Sequence, residues 1–164
     1  APELRRVRPV AVVLHLLSMM RPSADPNSSS EPSYISRTTK IRQVMTLSPH
    51  TIGSDQKLTL AHKMMREYHL RHLPVLRAGE LVGVLSERDL FFLESVAGVD
   101  VDIDAVSEAM TADVYTAHPE DYVRDVARVM SLRRYGCAVV MEDSRLLGIF
   151  TATDALRYLA EALV

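Results

Sequence analysis

The amino-acid sequence predicts an α/β (α+β) fold made of two tandem repeats, each a small sheet with flanking helices, packed as one pseudo-two-fold module. A repeat in the sequence is the first observation behind this prediction: the dipeptide Met-Thr at 45–46 recurs at 110–111, and Gly83 recurs as Gly148, both 65 residues later. The length of each copy is the second observation. A repeat of about 55 residues buries too little surface to be secure alone, so the two copies are expected to share one structure.

In the first copy, the pattern of apolar residues predicts a helix over 55–68, capped by Asp55. Its apolar side chains follow the three-and-four spacing of one buried stripe, formed by Leu58, Ala61, Met64, Met65 and Tyr68. Two short apolar runs, 73–76 and 81–85, flank a glycine-containing turn and predict a β-hairpin. A second helix is predicted over 87–96.

The second copy repeats this order of elements. The predicted elements are a helix over 122–132, strands over 137–141 and 146–150, and a helix over 152–163. We therefore assign the first repeat to 41–99, the linker to 100–105 and the second repeat to 106–164.

Residues 1–40 are predicted to be an N-terminal extension and linker, partly disordered. An arginine-rich start and an apolar run over 10–20 match part of a signal peptide, but a small-residue cleavage site is not clear and the run is too short to span a bilayer. The stretch 21–33 is rich in Pro and Ser, as is typical of a flexible linker. We expect no membrane partner.

Composition argues against several classes of partner. The chain has 19 basic and 21 acidic residues, so it has no positive field to attract nucleic acid, and its aromatic content is only 5%. The single cysteine, Cys137, excludes an internal disulfide and a thiolate zinc site, and favours a reducing, cytoplasmic compartment. We expect neither a nucleic-acid partner nor a metal site.

Several segments carry the resemblance to a known family. The first copy contains Val-Met-Thr at 44–46, Arg-His-Leu-Pro-Val at 71–75 and Leu-Val-Gly-Val-Leu-Ser-Glu-Arg-Asp-Leu at 81–90, and the second copy has counterparts at 109–111 and 146–155. These segments resemble the cystathionine-β-synthase (CBS) domain pair, or Bateman module, over about three quarters of the chain. The resemblance implies a regulatory protein with no catalytic residues and no required cofactor. It also implies a homodimer that acts on an unknown effector protein.

A hydroxyl residue stands at the start of each predicted final helix, Ser86 in the first copy and Thr151 in the second. Unpaired N–H groups and the helix dipole favour an anion such as phosphate at this position. Asp89 and Asp154 follow three residues later on the same side, where a carboxylate can accept hydrogen bonds from two ribose hydroxyls. The same residues can also simply cap their helices, and the residue pattern leaves both interpretations open.

In the CBS family, AMP, ADP, ATP or S-adenosylmethionine lies in clefts between the copies, with Ser or Thr near phosphate and Asp on ribose. The resemblance implies a first cleft formed by Thr51, Ile52, His72, Leu73, Pro74, Ser86, Arg88 and Asp89. It implies a second cleft formed by Val114, Tyr115, Gly136, Cys137, Ala138, Thr151, Thr153 and Asp154. Arg88, with help from Arg71 and His72, favours tighter polyphosphate binding in the first cleft.

Two further points stay open. The alternative function is a ligand-free structural or protein-interaction module, since a fold is predicted better than a ligand. Family dimers associate through their helices, and the expected seam residues are Leu90, Phe91, Phe92, Leu156 and Leu159, for which a place in the core is equally natural.

Overall fold

Each predicted helix and strand is present in the structure, a computed structural model that describes residues 38–95 and 104–163. The N-terminal extension up to residue 37 and the linker residues up to 103 lie outside the described residues, as does the predicted helix end at 96. The strands are β1 (Thr46–Leu47), β2 (Ile52–Gly53), β3 (His72–Arg77), β4 (Glu80–Ser86), β5 (Thr116–Ala117), β6 (Cys137–Glu142) and β7 (Arg145–Thr151). The helices are α1 (Leu58–Glu67), α2 (Glu87–Glu94), α3 (Val106–Ala109), α4 (Val123–Arg133) and α5 (Ala152–Ala162), preceded by a 3-10 turn, Ile41–Gln43.

Two antiparallel hairpins, β3–β4 and β6–β7, supply the longest strands of two small sheets. Both turns have two central residues with positive φ: Ala78 and Gly79 in the first, Asp143 and Ser144 in the second. Such turns match the right-handed twist of the strands that they join. The repeated hairpin is thus encoded locally in each copy.

The sheets reveal that each copy's opening segment, 41–47 in the first and 106–112 in the second, lies on the other copy. The three-stranded sheet has the order β2–β3–β4, and the four-stranded sheet has the order β1–β7–β6–β5. In the latter, Thr46 of β1 is opposite Ile149 of β7, in an antiparallel pair. An isolated antiparallel bridge between Thr111 and Val84 is its counterpart. The two opening segments are therefore exchanged.

The two hydrophobic cores show the same exchange. The first core contains Ile52, Leu58, Ala61, Met65, Leu73, Val75, Leu85 and Leu90 together with Val106 from the second opening segment. The second core contains Ala117, Val123, Val126, Met130, Ala138, Val140 and Phe150 together with Ile41 from the first opening segment. Ile41 and Val106 are fully buried. Each repeat therefore completes its core with a side chain from the other.

Gly83 and Gly148 are required by this exchange. A Cβ atom on Gly148 would lie 2.8 Å from the carbonyl oxygen of Thr46, and one on Gly83 would lie 2.6 Å from Sδ of Met110. The recurring glycine of one copy thus faces the recurring Met-Thr pair of the other. This contact explains why both motifs recur at one spacing.

The start of α1 differs from the prediction. Lys57, not Asp55, precedes the helix, and it makes no side-chain capping bond. Instead, the backbone N–H of Leu58 donates to the carbonyl oxygen of Asp104, 3.1 Å away. The prediction for Asp55 was wrong because the backbone of the linker before the second copy satisfies this helix end.

The structure decides whether two apolar side chains are buried or exposed. Tyr68 was placed in the buried stripe, but it is 45% exposed, and its ring stacks on that of His50. Leu90 belongs to the first core and is 1% exposed, so of the two places that the sequence left open it takes the core and not the seam. Leu90 lies one turn into α2, on the side of the helix that faces the core. The other expected seam residues, Phe91, Phe92, Leu156 and Leu159, are exposed.

Candidate functional site: the paired helix N-termini

Ser86 and Asp89 form a reciprocal cap at the start of α2. The Ser86 hydroxyl donates to Oδ2 of Asp89 over 2.6 Å, and the Ser86 backbone N–H donates to the same oxygen over 3.0 Å. In return, the Asp89 backbone N–H donates to the Ser86 hydroxyl oxygen over 3.2 Å. These bonds fix the carboxylate over the first turn of the helix.

Thr151 and Asp154 repeat the arrangement at the start of α5. The Thr151 hydroxyl donates to Oδ2 of Asp154 over 2.6 Å, and its backbone N–H donates over 2.8 Å. The capping interpretation is therefore confirmed for both copies. Capping does not use every oxygen of Asp89, whose Oδ1 has no hydrogen-bond partner among the described residues.

Each cap lies beside the start of the neighbouring strand. His72 is opposite Ser86 in the β3–β4 hairpin, and Cys137 is opposite Thr151 in the β6–β7 hairpin. The first N–H of α2 donates to the carbonyl oxygen of Arg71 over 2.9 Å. The sheet register therefore brings together the strand start, the hydroxyl and the carboxylate that the sequence singled out separately.

Many of the residues expected to line the clefts have buried side chains. These residues are Ile52, Leu73, Pro74, Cys137 and Ala138. Thr51, Val114 and Tyr115 are partly buried, and Gly136 is exposed. A ligand beside the buried residues would contact their main chain, because their side chains fill the cores.

His72 lies against Gly136, the residue that precedes Cys137 at the start of β6. A Cβ atom on Gly136 would come within 2.4 Å of Nε2 of His72. Burial, followed by the positive charge of Arg71, lowers the pKa of His72, while Asp89 and Glu87 act in the opposite direction. The two strand starts thus meet at a neutral imidazole, next to both helix N-termini.

Arg71 links the two copies. Its guanidinium donates to the Thr153 hydroxyl oxygen over 2.9 Å, so the cation lies at the start of α5. Sequence reasoning placed Arg71 near the phosphate position of Ser86, and no local pattern indicates a contact across the repeats. Arg88, by contrast, is exposed on the first turn of α2.

Cys137 has no features of a reactive thiol. It is buried in β6, and this burial raises the pKa of its thiol to about 12. A thiol with such a pKa is almost entirely protonated at neutral pH, so it is a poor nucleophile and a poor metal ligand.

The model of the CBS domain matches the chain twice, over residues 41–95 and 106–161. The chain belongs to the CBS domain family. The two matches coincide with the two copies recognised from the 65-residue spacing, so the described unit is a CBS domain pair with exchanged opening segments.

The chain spans well under half the length of the first two curated relatives that it matches, and most of the length of a third. The chain is 29% identical over 121 residues to the uncharacterized protein MJ1232 of Methanocaldococcus jannaschii, covering 73% of this chain and 38% of that protein. It is 33% identical over 117 residues to an inosine-5'-monophosphate dehydrogenase of Korarchaeum cryptofilum, covering 70% and 22%. Hypoxic response protein 1 of Mycobacterium tuberculosis is 27% identical over 124 residues, covering 75% and 87%.

Solved structures confirm the fold. The CBS domain pair of protein MJ0100, in complex with 5'-methylthioadenosine and S-adenosyl-L-methionine, has a TM-score of 0.67 at 25% identity, covering 76% of this chain and 98% of that chain. Hypoxic Response Protein I with two coordinated zinc ions has a TM-score of 0.65 at 27% identity, covering 73% and 98%. Within residues 38–95 and 104–163 of this chain, no group of three His, Cys, Asp or Glu side chains is placed to hold a metal ion. The helices described in these ranges are all too short or too polar to cross a membrane.

Proposed function

We propose that this CBS pair binds an adenosine-containing ligand, such as AMP, ADP, ATP or S-adenosylmethionine, and acts as a regulatory sensor. The observation that carries the proposal is the duplicated hydroxyl and carboxylate at the starts of α2 and α5. Ser86 and Thr151 stand where backbone N–H groups favour a phosphate or carboxylate. Asp89 and Asp154 supply acceptors for the two ribose hydroxyls.

The ligand class is supported by comparison with MJ0100. Both molecules in that complex, 5'-methylthioadenosine and S-adenosyl-L-methionine, contain an adenosine group. Ribose and adenine are therefore the parts of the ligand that we expect this chain to recognise.

Contacts between the copies suggest how binding would produce a signal. Arg71 of the first copy bonds Thr153 of the second, and His72 lies against Gly136. A ligand seated beside these contacts would favour one arrangement of the copies over another. An effector protein that prefers that arrangement would then be recruited or released, by linkage. The proposal assigns no catalytic step to the chain.

Ligand-induced stabilisation tests the proposal. We expect one of AMP, ADP, ATP, NADH or S-adenosylmethionine, with or without Mg²⁺, to raise the midpoint of thermal unfolding. At a concentration about a hundred times the dissociation constant, the ligand adds roughly 2.7 kcal/mol to the free energy of unfolding, which corresponds to several degrees. Asp89→Ala should abolish most of the rise, because the ribose loses its acceptor; Asp154→Ala tests the second cleft in the same way.

Each shift is measured against the unliganded midpoint of the same variant, because Asp89→Ala also removes a helix cap worth about 1 kcal/mol. Glu80→Ala is the matched control, since Glu80 is an exposed carboxylate at the opposite end of β4 from Ser86. If no ligand shifts the midpoint of nucleotide-free protein, the alternative of a ligand-free interaction module is favoured instead.

We also propose that two chains associate through α2 and α5. Phe91 and Leu156 occupy matching exposed positions 65 residues apart, and Phe92 and Leu159 are exposed near them. Large apolar side chains grouped on the surface indicate a protein contact.

Phe91→Glu combined with Leu156→Glu should convert a dimer to a monomer in light scattering. Leu132→Glu on α4, at a side chain that is 76% exposed, should leave the dimer intact. A monomeric wild-type chain at micromolar concentration would contradict this proposal.

A further inference from the structure

The two carboxylates that the repeat makes equivalent are in different environments. Asp89 is partly exposed, whereas Asp154 is only 4% exposed. In both residues Oδ2 accepts the cap bonds. In Asp154, Oδ1 also accepts from the guanidinium of Arg157, one helical turn further along α5.

A single substitution between the repeats explains this difference. The residue 65 positions before Arg157 is Phe92, which is exposed and has no donor to offer Asp89. Oδ1 of Asp89 consequently has no partner within the described parts of the chain. The asymmetry is therefore encoded in the sequence at this pair of positions, and it does not depend on the caps, which are alike.

Arg157 occupies an oxygen of the carboxylate that we expect to bind the ribose. Two neighbouring ribose hydroxyls need carboxylate oxygen as acceptor, and in the second cleft both oxygens of Asp154 already accept from the protein. A bond from a guanidinium to a carboxylate is stronger than a bond from a neutral hydroxyl. A ribose therefore competes with Arg157 for Oδ1 of Asp154, while in the first cleft Oδ1 of Asp89 has no competing donor among the described residues.

We propose that Arg157 acts as an internal competitor for ribose, so that the chain binds adenosine ligands mainly in the first cleft. This inference rests on the proposed function and adds which cleft is used and which residue decides it. The side chain of Arg157 is 61% exposed and is held through its guanidinium, so it can move away from Asp154 without disturbing the core. Arg157 therefore weakens binding in the second cleft without preventing it. We expect the second cleft to bind about tenfold more weakly than the first.

Isothermal titration calorimetry of the full chain, with AMP and separately with S-adenosylmethionine, tests the inference. We expect the wild type to show one tight site per chain, which Asp89→Ala removes. Arg157→Phe copies the first repeat and Arg157→Gln removes the charge; both should reveal a second site of similar affinity. Arg157→Lys keeps a cation and should retain one tight site.

The reciprocal variant Phe92→Arg should weaken the first site about tenfold, because it places a guanidinium one turn after Asp89. Light scattering is recorded for this variant, since Phe92 also lies on the proposed dimer surface. Two equal sites in the wild type, or one site that is lost in Asp154→Ala and kept in Asp89→Ala, would overturn the role of Arg157 and leave the proposed function standing. Absence of binding in every variant would overturn both.

Discussion

Replacing Ile41 with alanine should lower the free energy of unfolding by about 2–5 kcal/mol, as for other large aliphatic side chains in a core. This is a large effect for a residue that precedes every α-helix of the first repeat. The reason is that Ile41 is fully buried within the second core, where its removal leaves a cavity among side chains of α4 and β6. Urea unfolding followed by circular dichroism measures the change.

Double-mutant cycles locate the cavity. Ile41→Ala should couple with Val123→Ala in the second core, by about 0.5 kcal/mol or more, and be additive with Leu85→Ala in the first core. Leu47→Ala is the control, because Leu47 is an exposed side chain of the same opening segment and its loss should change stability by less than about 0.5 kcal/mol. Coupling to Leu85 in place of Val123 would show that the opening segments are not exchanged.

Local patterns in the sequence predict most of the secondary structure. The apolar spacing of α1 and α4, and the apolar runs on either side of each two-residue turn, each determine one element and need no knowledge of the other copy. The predicted ends differ from the observed ones where a neighbouring segment intervenes. At α1, for example, Asp104 rather than Asp55 satisfies the first turn.

The exchange of opening segments could not be predicted from the sequence. The two copies are so alike that Ile41 fits the core of either copy, as does Val106, and Met-Thr fits beside either glycine. Hydrophobic pattern specifies that a side chain is buried, not which copy buries it. The Met-Thr pairs and the glycines recur at the same spacing whether each pair packs on the glycine of its own copy or on that of the other, so the spacing does not distinguish the two arrangements.

The site residues also divide into those that local spacing predicts and those whose contacts cross between the repeats. Ser86, Asp89, Thr151 and Asp154 were found from the sequence because they act within one helical turn, where spacing alone determines proximity. Arg71 was predicted beside the phosphate position of Ser86, but its contact with Thr153 crosses between the repeats and could not be predicted from spacing. Arg157 lies within one turn of Asp154, so spacing alone could predict this contact; it stands at a position where the two copies differ, and the repeat pattern marks only the residues that they share. The proposed asymmetry between the two clefts rests on the difference at positions 92 and 157.

Exchange also has a consequence for regulation. Because each core contains a side chain from the other repeat, the copies cannot separate without opening both cores. A ligand is therefore expected to change the relative arrangement of the copies within one cooperative unit, as small rotations of packed elements, and not to pull the copies apart.

Gly148→Val should lower the free energy of unfolding by about 3 kcal/mol, at the upper end of the range for overpacking. The new Cβ atom would lie 2.8 Å from the backbone oxygen of Thr46, which cannot move unless β1 leaves β7. Met45→Ala in the same chain should recover only part of the loss, because it removes the contact with the Met45 sulfur and leaves the one with the backbone oxygen.

Gly79→Asn is the matched control for this substitution. Gly79 lies in a hairpin turn with a φ of 86° and has no atom within 4 Å of a Cβ position, and asparagine adopts positive φ more readily than most other residues with a side chain. Its change in stability should stay below about 1 kcal/mol, and both variants are compared by urea unfolding. If Gly148→Val were as mild as Gly79→Asn, β1 would not be in contact with Gly148. The recurring glycines would then need an explanation other than the close approach of the exchanged opening segments.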